Sequence, residues 1–193
     1  MTGRILHSSD YQRMPWKNGG GTTTEIWKRS SRSGEMLWRL SIADVASDGP
    51  FSEFPGIDRW IMVIDGKGME LNIDQMGARR LDQSFVPLFF SGDAKTTCRL
   101  IDGPIRDFNF MVARCFGKGS LQVFELTPGM VAPLGENIAA IHVLRGGAEI
   151  ETNDVGGLAE GDTWIAEEPR KVRVSAVSDS VLAAISIDTV TGA

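Results

Sequence analysis

Twenty-two glycines and eight prolines are spread along 193 residues, at intervals that leave little room for helices. Between them lie short runs with strand character: 36–43, 60–64, 107–112, 121–126, 138–144, 171–177 and 181–187. Turn signals separate these runs, among them Asp48-Gly49-Pro50, Asp65-Gly66, Asp102-Gly103-Pro104, Arg145-Gly146-Gly147 and Glu160-Gly161-Asp162. Glycine supplies positive φ and proline pre-sets a turn, so each is a stop with a physical mechanism. Many short strands at close spacing predict an all-β chain, a sandwich or a barrel.

The charge balance and two rare residue types narrow the function classes. Twenty Lys and Arg against 25 Asp and Glu give a net charge of −5 with no basic stripe, which argues against a nucleic-acid partner. No apolar run approaches the ~18 residues of a membrane span. The first ten residues turn polar after two apolar ones and carry no signal-peptide core. Cys98 and Cys115 sit in apolar, strand-like contexts and read as buried thiols rather than a disulfide, so the expected compartment is the reducing cytoplasm. The two histidines, His7 and His142, are far apart, and neither has a Cys or His at a ligand spacing. No metal and no cofactor are therefore expected. His142 reads as a packed strand residue and His7 as a surface residue near the chain start.

A shift in composition at Gly117-Lys118-Gly119-Ser120 suggests two domains, 1–116 and 117–193. Each has a strand, a Gly turn and a strand in its middle: Ile61–Leu71 in the first and Ile141–Ile150 in the second. The second continues through Glu160-Gly161-Asp162 to Trp164-Ile165 and Pro169, an order that resembles the small double-sheet barrels called cupins.

The most unusual run is Met14-Pro15-Trp16-Lys17-Asn18-Gly19-Gly20-Gly21-Thr22-Thr23-Thr24-Glu25-Ile26. Three glycines bare the backbone, so its N–H groups can face an anion, or the run can be a tight turn into a Thr-rich strand. It is no P-loop, because its lysine precedes the glycines. Together with Trp38–Ala43, Asp48–Arg59 and Asp107–Met111, this run resembles the HutD/Ves family. The resemblance implies a bicupin, two small antiparallel double-sheet barrels in one chain, with segment 14–26 in the first. It also implies a bacterial cytoplasmic protein linked to histidine utilisation, and no established enzymatic activity.

Carrying the cupin pattern across residue by residue, Arg59 falls where metal-binding cupins have a glutamate, and Glu53 and Pro55 fall near their histidine positions. In the second half the corresponding position is Ala139. An arginine inside a barrel needs an anionic partner, and a carboxylate matches its planar fork. Strand alternation separates Trp38, Leu40 and Ile42 from Arg39, Ser41 and Ala43, and Asn109 and Met111 from Phe108, Phe110 and Val112. Polar rows of this kind face either a lumen or water. The candidate ligand-binding residues are thus Arg59, Arg39, Ser41 and Asn109, with Lys17, Asn18, Thr24 and Glu25 from the Gly-rich segment. Asp58 and Asp107 read either as ion-pair partners or as site residues, with the ion pair favoured for Asp107, and Trp16 reads as packing in preference to capping a ligand.

The leading expectation is a non-catalytic binder of a small anionic metabolite, a carboxylate, that moderates a catabolic pathway; a homodimer is compatible with it. The alternative is a cofactor-independent cupin-type isomerase, lyase or hydrolase using Lys17 or Glu25 as acid or base. A third reading is a partner-binding module presenting a flat sheet face. Fold alone does not choose among them.

Overall fold

The computed structural model describes residues 3–17, 19–151 and 156–190. The first strands are β1 (Gly3–Leu6), β2 (Gln12–Pro15), β3 (Gly21–Ser30), β4 (Met36–Val45), β5 (Gly49–Phe51) and β6 (Ile57–Asp65). They are followed by β7 (Met69–Ile73), β8 (Gly77–Leu81), β9 (Leu88–Ser91), β10 (Thr96–Leu100), β11 (Ile105–Ala113) and β12 (Gly117–Leu126). The last are β13 (Ile138–Arg145), β14 (Gly147–Glu151), β15 (Gly156–Ala159), β16 (Thr163–Arg170), β17 (Arg173–Ala176) and β18 (Ser180–Thr189). The chain is all-β; among the described residues one 3-10 turn, Ser8–Asp10, is the sole helical element, and no helix is long and apolar enough to cross a membrane.

One unit runs from Gln12 to Gly117. Its six-stranded sheet has the order β2-β3-β4-β11-β6-β9, and its four-stranded sheet the order β5-β10-β7-β8. Alternation gives β4, β6 and β11 an inner row each. Ala43, Val45, Ile61, Val63 and Ile105 from those rows meet Met69, Leu71, Ile73, Leu81 and Cys98 of the smaller sheet in one apolar core. The opposite row, including Trp38, Leu40, Phe108 and Phe110, is buried as well. Neither face of these central strands is a water-facing polar face.

The other unit holds the described residues up to Tyr11 together with those from Lys118 onward. It carries a five-stranded sheet, β1-β16-β13-β18-β12, and a three-stranded sheet, β15-β14-β17. Two antiparallel sheets per unit make the cupin-type arrangement. The division differs from 1–116 and 117–193 at its start, because β1 pairs antiparallel with β16. Gly3 allows this: a Cβ there would lie 2.2 Å from the Trp164 ring. Tyr11 fastens the end of the segment, donating from its hydroxyl to the Gly161 carbonyl at 2.6 Å and lying 2.8 Å from Thr163 Oγ1. His7 Nδ1 sits 2.9 Å from Asp162 Oδ1. His142 is buried on β13, with Nδ1 2.8 Å from Thr163 Oγ1. Both cysteines are free; Cys98 is buried, but Cys115 is exposed, because it falls in the turn after β11 rather than in a strand.

Candidate ligand-binding site

The apolar inner rows of the Gln12–Gly117 unit give way at one end to polar side chains. On β4 the row Arg39, Ser41, Ala43 continues the apolar Val45; on β6 Arg59 precedes Ile61; on β11 Asp107, Asn109 and Met111 follow Ile105. The register aligns them, pairing Asn109 with Ser41 and Met111 with Arg39 across one ladder and Met111 with Arg59 across the other. A β-bulge between Arg106 and Asp107 lies directly beside this group. The space left where the apolar packing stops is a cavity of about 530 Å³, within the range of small-molecule sites. Its remaining wall comes from Pro50, Phe51, Ser52 and Phe54 on and after β5, and from Pro15, Trp16, Lys17 and Thr23 around the Gly-rich turn.

That turn joins β2 to β3. Trp16 N–H donates to the Gly21 carbonyl at 2.9 Å, and Gly19 N–H donates to the Trp16 carbonyl at 3.0 Å. Gly21 is required for close approach: a Cβ there would lie 2.4 Å from the Asp44 carbonyl and 3.0 Å from the Trp16 ring. Trp16 is held over the cavity by its indole N–H, which donates to Thr23 Oγ1 at 2.8 Å. Trp16 therefore packs and lines the cavity at once.

Arg59 is only 4% exposed. Its Nη1 donates to the Ser52 carbonyl at 3.3 Å and its Nη2 to Asn109 Oδ1 at 3.2 Å, while Nε–H has no partner. The guanidinium lies 4.9 Å from the Phe90 ring centre, 5.2 Å from Phe54 and 5.9 Å from Phe51, so aromatic faces replace part of its lost hydration. Burial pushes its pKa down to about 10, with Asp107 opposing that shift and Arg39 adding to it. Asp107 is fully buried; Asn109 Nδ2 donates to its Oδ1, and its Oδ2 has no partner. Burial raises its carboxyl to about 7, against the pull of Arg59 and the Asn109 hydrogen bond, and Asp44 raises it further. Asn109 thus stands between a buried cation and a buried acid and touches both.

Of the residues predicted as ligands, Arg59, Arg39, Ser41, Asn109 and Lys17 line this one cavity. Glu25 is engaged with Arg39, whose Nε donates to Oε2 at 2.7 Å. Thr24 does not line the cavity; alternation along β3 presents Thr23 there instead. Asn18 lies outside the described residues. Asp58 pairs with Arg114 at 2.9 Å, not with Arg59. Asp107, for which an ion pair is the favoured expectation, is part of the cavity wall, as are Phe51, in a strand too short to show a pattern, and Phe54, which lies beyond it. Among the described residues no three His, Cys, Asp or Glu side chains converge as metal ligands.

The model of the HutD family matches residues 8–184. The chain belongs to the HutD family. It is 44% identical over 125 residues to an uncharacterized 21.2 kDa protein in the hutC 3′ region of Pseudomonas putida, a match covering 64% of this chain and 65% of that one, just under two thirds. A conserved protein of unknown function from Pseudomonas aeruginosa PAO1 superposes with a TM-score of 0.87 at 34% identity, covering 97% of this chain and all of that one. HutD from Pseudomonas fluorescens SBW25, solved in a formate condition, superposes with a TM-score of 0.80 at 31% identity, covering 96% and 99%.

Proposed function

We propose that the cavity binds a small carboxylate metabolite, and that the protein moderates histidine utilisation by sensing it without transforming it. The observation that carries the reading is Arg59, a buried guanidinium on a cavity wall with an unpartnered Nε–H and no carboxylate bonded to it. A planar carboxylate fits such a fork bidentately. Arg39 and Lys17 add positive charge to the same walls, Ser41 and Asn109 supply orienting groups, and Trp16, Phe51 and Phe54 suit a flat or apolar body. Glu25 is held by Arg39, which leaves it poorly placed as the acid or base of an enzyme.

A thermal-shift screen against small carboxylates tests this, with formate, urocanate, N-formylglutamate and N-formiminoglutamate among them. A ligand at about 100 times its dissociation constant adds about 2.7 kcal/mol of stability. A screen in which no carboxylate raises the melting temperature overturns the reading.

A further inference from the structure

The carboxylate reading uses Arg59 and leaves Asp107 unexplained. An acid buried beside an anion site is unfavourable when both are ionised, because two like charges in a water-poor cavity repel. The fold does not cancel this charge directly. Asp107 has no salt bridge; Asn109 intervenes, giving Nδ2 to Asp107 and taking a hydrogen bond from Arg59. Oδ2 is left with no donor at all, though an ionised carboxylate oxygen is a strong acceptor. A protonated Oδ2 reverses that requirement, since it needs an acceptor, and a ligand's carboxylate held on Arg59 is one.

We propose that a carboxylate enters this cavity together with one proton, which sits on Asp107 Oδ2 and is donated to the ligand as a hydrogen bond. The proposal rests on the carboxylate reading and deepens it: Asp107 selects ligands that place an acceptor, rather than a donor, beside Arg59. The balance is simple, with one proton taken from solvent, one O–H···O bond formed and no covalent bond changed in the ligand. The charged and titratable surroundings agree. From β6 comes Arg59, and from β4 come Arg39, paired with Glu25 of β3, and Asp44, paired with Arg106 of β11 itself. Lys17 reaches the same cavity from the β2–β3 turn. From β10 comes Cys98, whose thiol burial pushes up to about 12, so it stays neutral throughout the relevant range. Asp107, at about 7, changes charge near neutrality, whereas Arg59 is still cationic below about 10.

The test is titration calorimetry with acetate, benzoate and cinnamate, which are ionised at pH 6 and above and then carry no hydrogen-bond donor. Each is measured at pH 6 and pH 8, and at pH 7.5 in two buffers of different ionisation enthalpy. The expected result is net proton uptake at pH 7.5 and an affinity about tenfold weaker at pH 8 than at pH 6, the ratio a site titrating at about 7 gives. Asp107→Asn keeps the shape and cannot titrate, so its affinity is expected to be the same at both pH values, with no proton uptake. If that variant fails to fold, the buffer pair on the unaltered protein still decides. Binding with no proton uptake and no pH dependence overturns the proposal and leaves the carboxylate site standing. Pronounced pH dependence that persists in Asp107→Asn also overturns it. Absence of binding by all three probes at both pH values overturns this proposal and the carboxylate reading together.

Discussion

Replacing Arg59 by alanine is the sharpest perturbation of the proposed site. The guanidinium has five N–H donors, and the protein engages Nη1 once and Nη2 once, at 3.3 and 3.2 Å. Nε–H and the second hydrogens on the Nη atoms remain for a ligand. Losing one partner of a desolvated, charge-assisted pair costs roughly 2–5 kcal/mol. Arg39 lines the same cavity and retains part of the attraction, so the low end applies, and each ~1.4 kcal/mol is a decade in affinity. Arg59→Ala is expected to weaken carboxylate binding at least tenfold, and Arg59→Lys, which keeps the charge but loses the fork, to fall between. The fold tolerates the change because Asp107 already sits near neutrality in its proton affinity, and without Arg59 it stays protonated and needs no counter-ion. What is lost is packing on Phe51, Phe54 and Phe90 and two long hydrogen bonds, about 1–3 kcal/mol in all. Calorimetric titration on the three proteins measures the effect. Arg114→Ala serves as control, because its ion pairs with Asp58 and Asp93 lie away from the cavity walls. Unchanged affinity in Arg59→Ala would refute the assignment of the anchor.

Two further predictions concern the unit that holds β1 and β13–β18. Gly146 has φ +79°, and a Cβ there would lie 2.2 Å from the Asp179 carbonyl, whereas Gly161 has φ +86° and open space. In urea denaturation Gly146→Ala should therefore cost about 2 kcal/mol or more and Gly161→Ala only about 1 kcal/mol; equal costs would discount the close approach. Tyr11→Phe removes the hydroxyl that joins the N-terminal segment to Gly161 and Thr163, and should lower stability by about 1 kcal/mol, a loss absent if that segment is not fastened there.

Much of the site was legible because strands have a period of two. Once residues 38–43 and 107–112 are read as strands, Arg39, Ser41 and Ala43 must share a face, as must Asn109 and Met111, and the register brings those faces together. Thr24 is a candidate only as part of the Gly-rich segment, with no strand parity applied to it; alternation along β3 presents Thr23 to the cavity instead. Asp107 was missed because alternation shows which side an acid takes, not whether water reaches it. Phe51 and Phe54, which line the same cavity, are far away from it in sequence. The pairing of β1 with β16 joins Gly3 to Ala166, and a ladder of such separation leaves no local signal beyond a glycine whose neighbour is unknown. The apolar run before Cys115 predicts a buried thiol, yet the strand ends at Ala113 and the chain turns there, which leaves the thiol exposed.

Asp107 also has a cost that stability measurements can read independently of any ligand. Its folded value of about 7 lies above the ordinary 3.8, so the unfolded chain gives up the proton first as pH rises. Below pH 3.8 both states hold the proton and there is no penalty; between 3.8 and about 7 stability falls with pH, and above that the loss levels off. At about 1.4 kcal/mol per pKa unit, the full penalty is on the order of 4 kcal/mol. Asp107→Asn removes it but introduces an amide N–H₂ where Oδ2 has no partner, which costs about 1–3 kcal/mol. The variant should therefore be more stable than the unaltered protein at pH 8, by roughly 1–3 kcal/mol, and no more stable, or less, at pH 4. Urea denaturation at both pH values measures the difference between the two proteins. A difference that does not change with pH would mean that Asp107 is not the buried acid described. A difference that grows with pH would mean that the fold carries a group it is less stable for having, and the cavity it faces gives the physical reason for it.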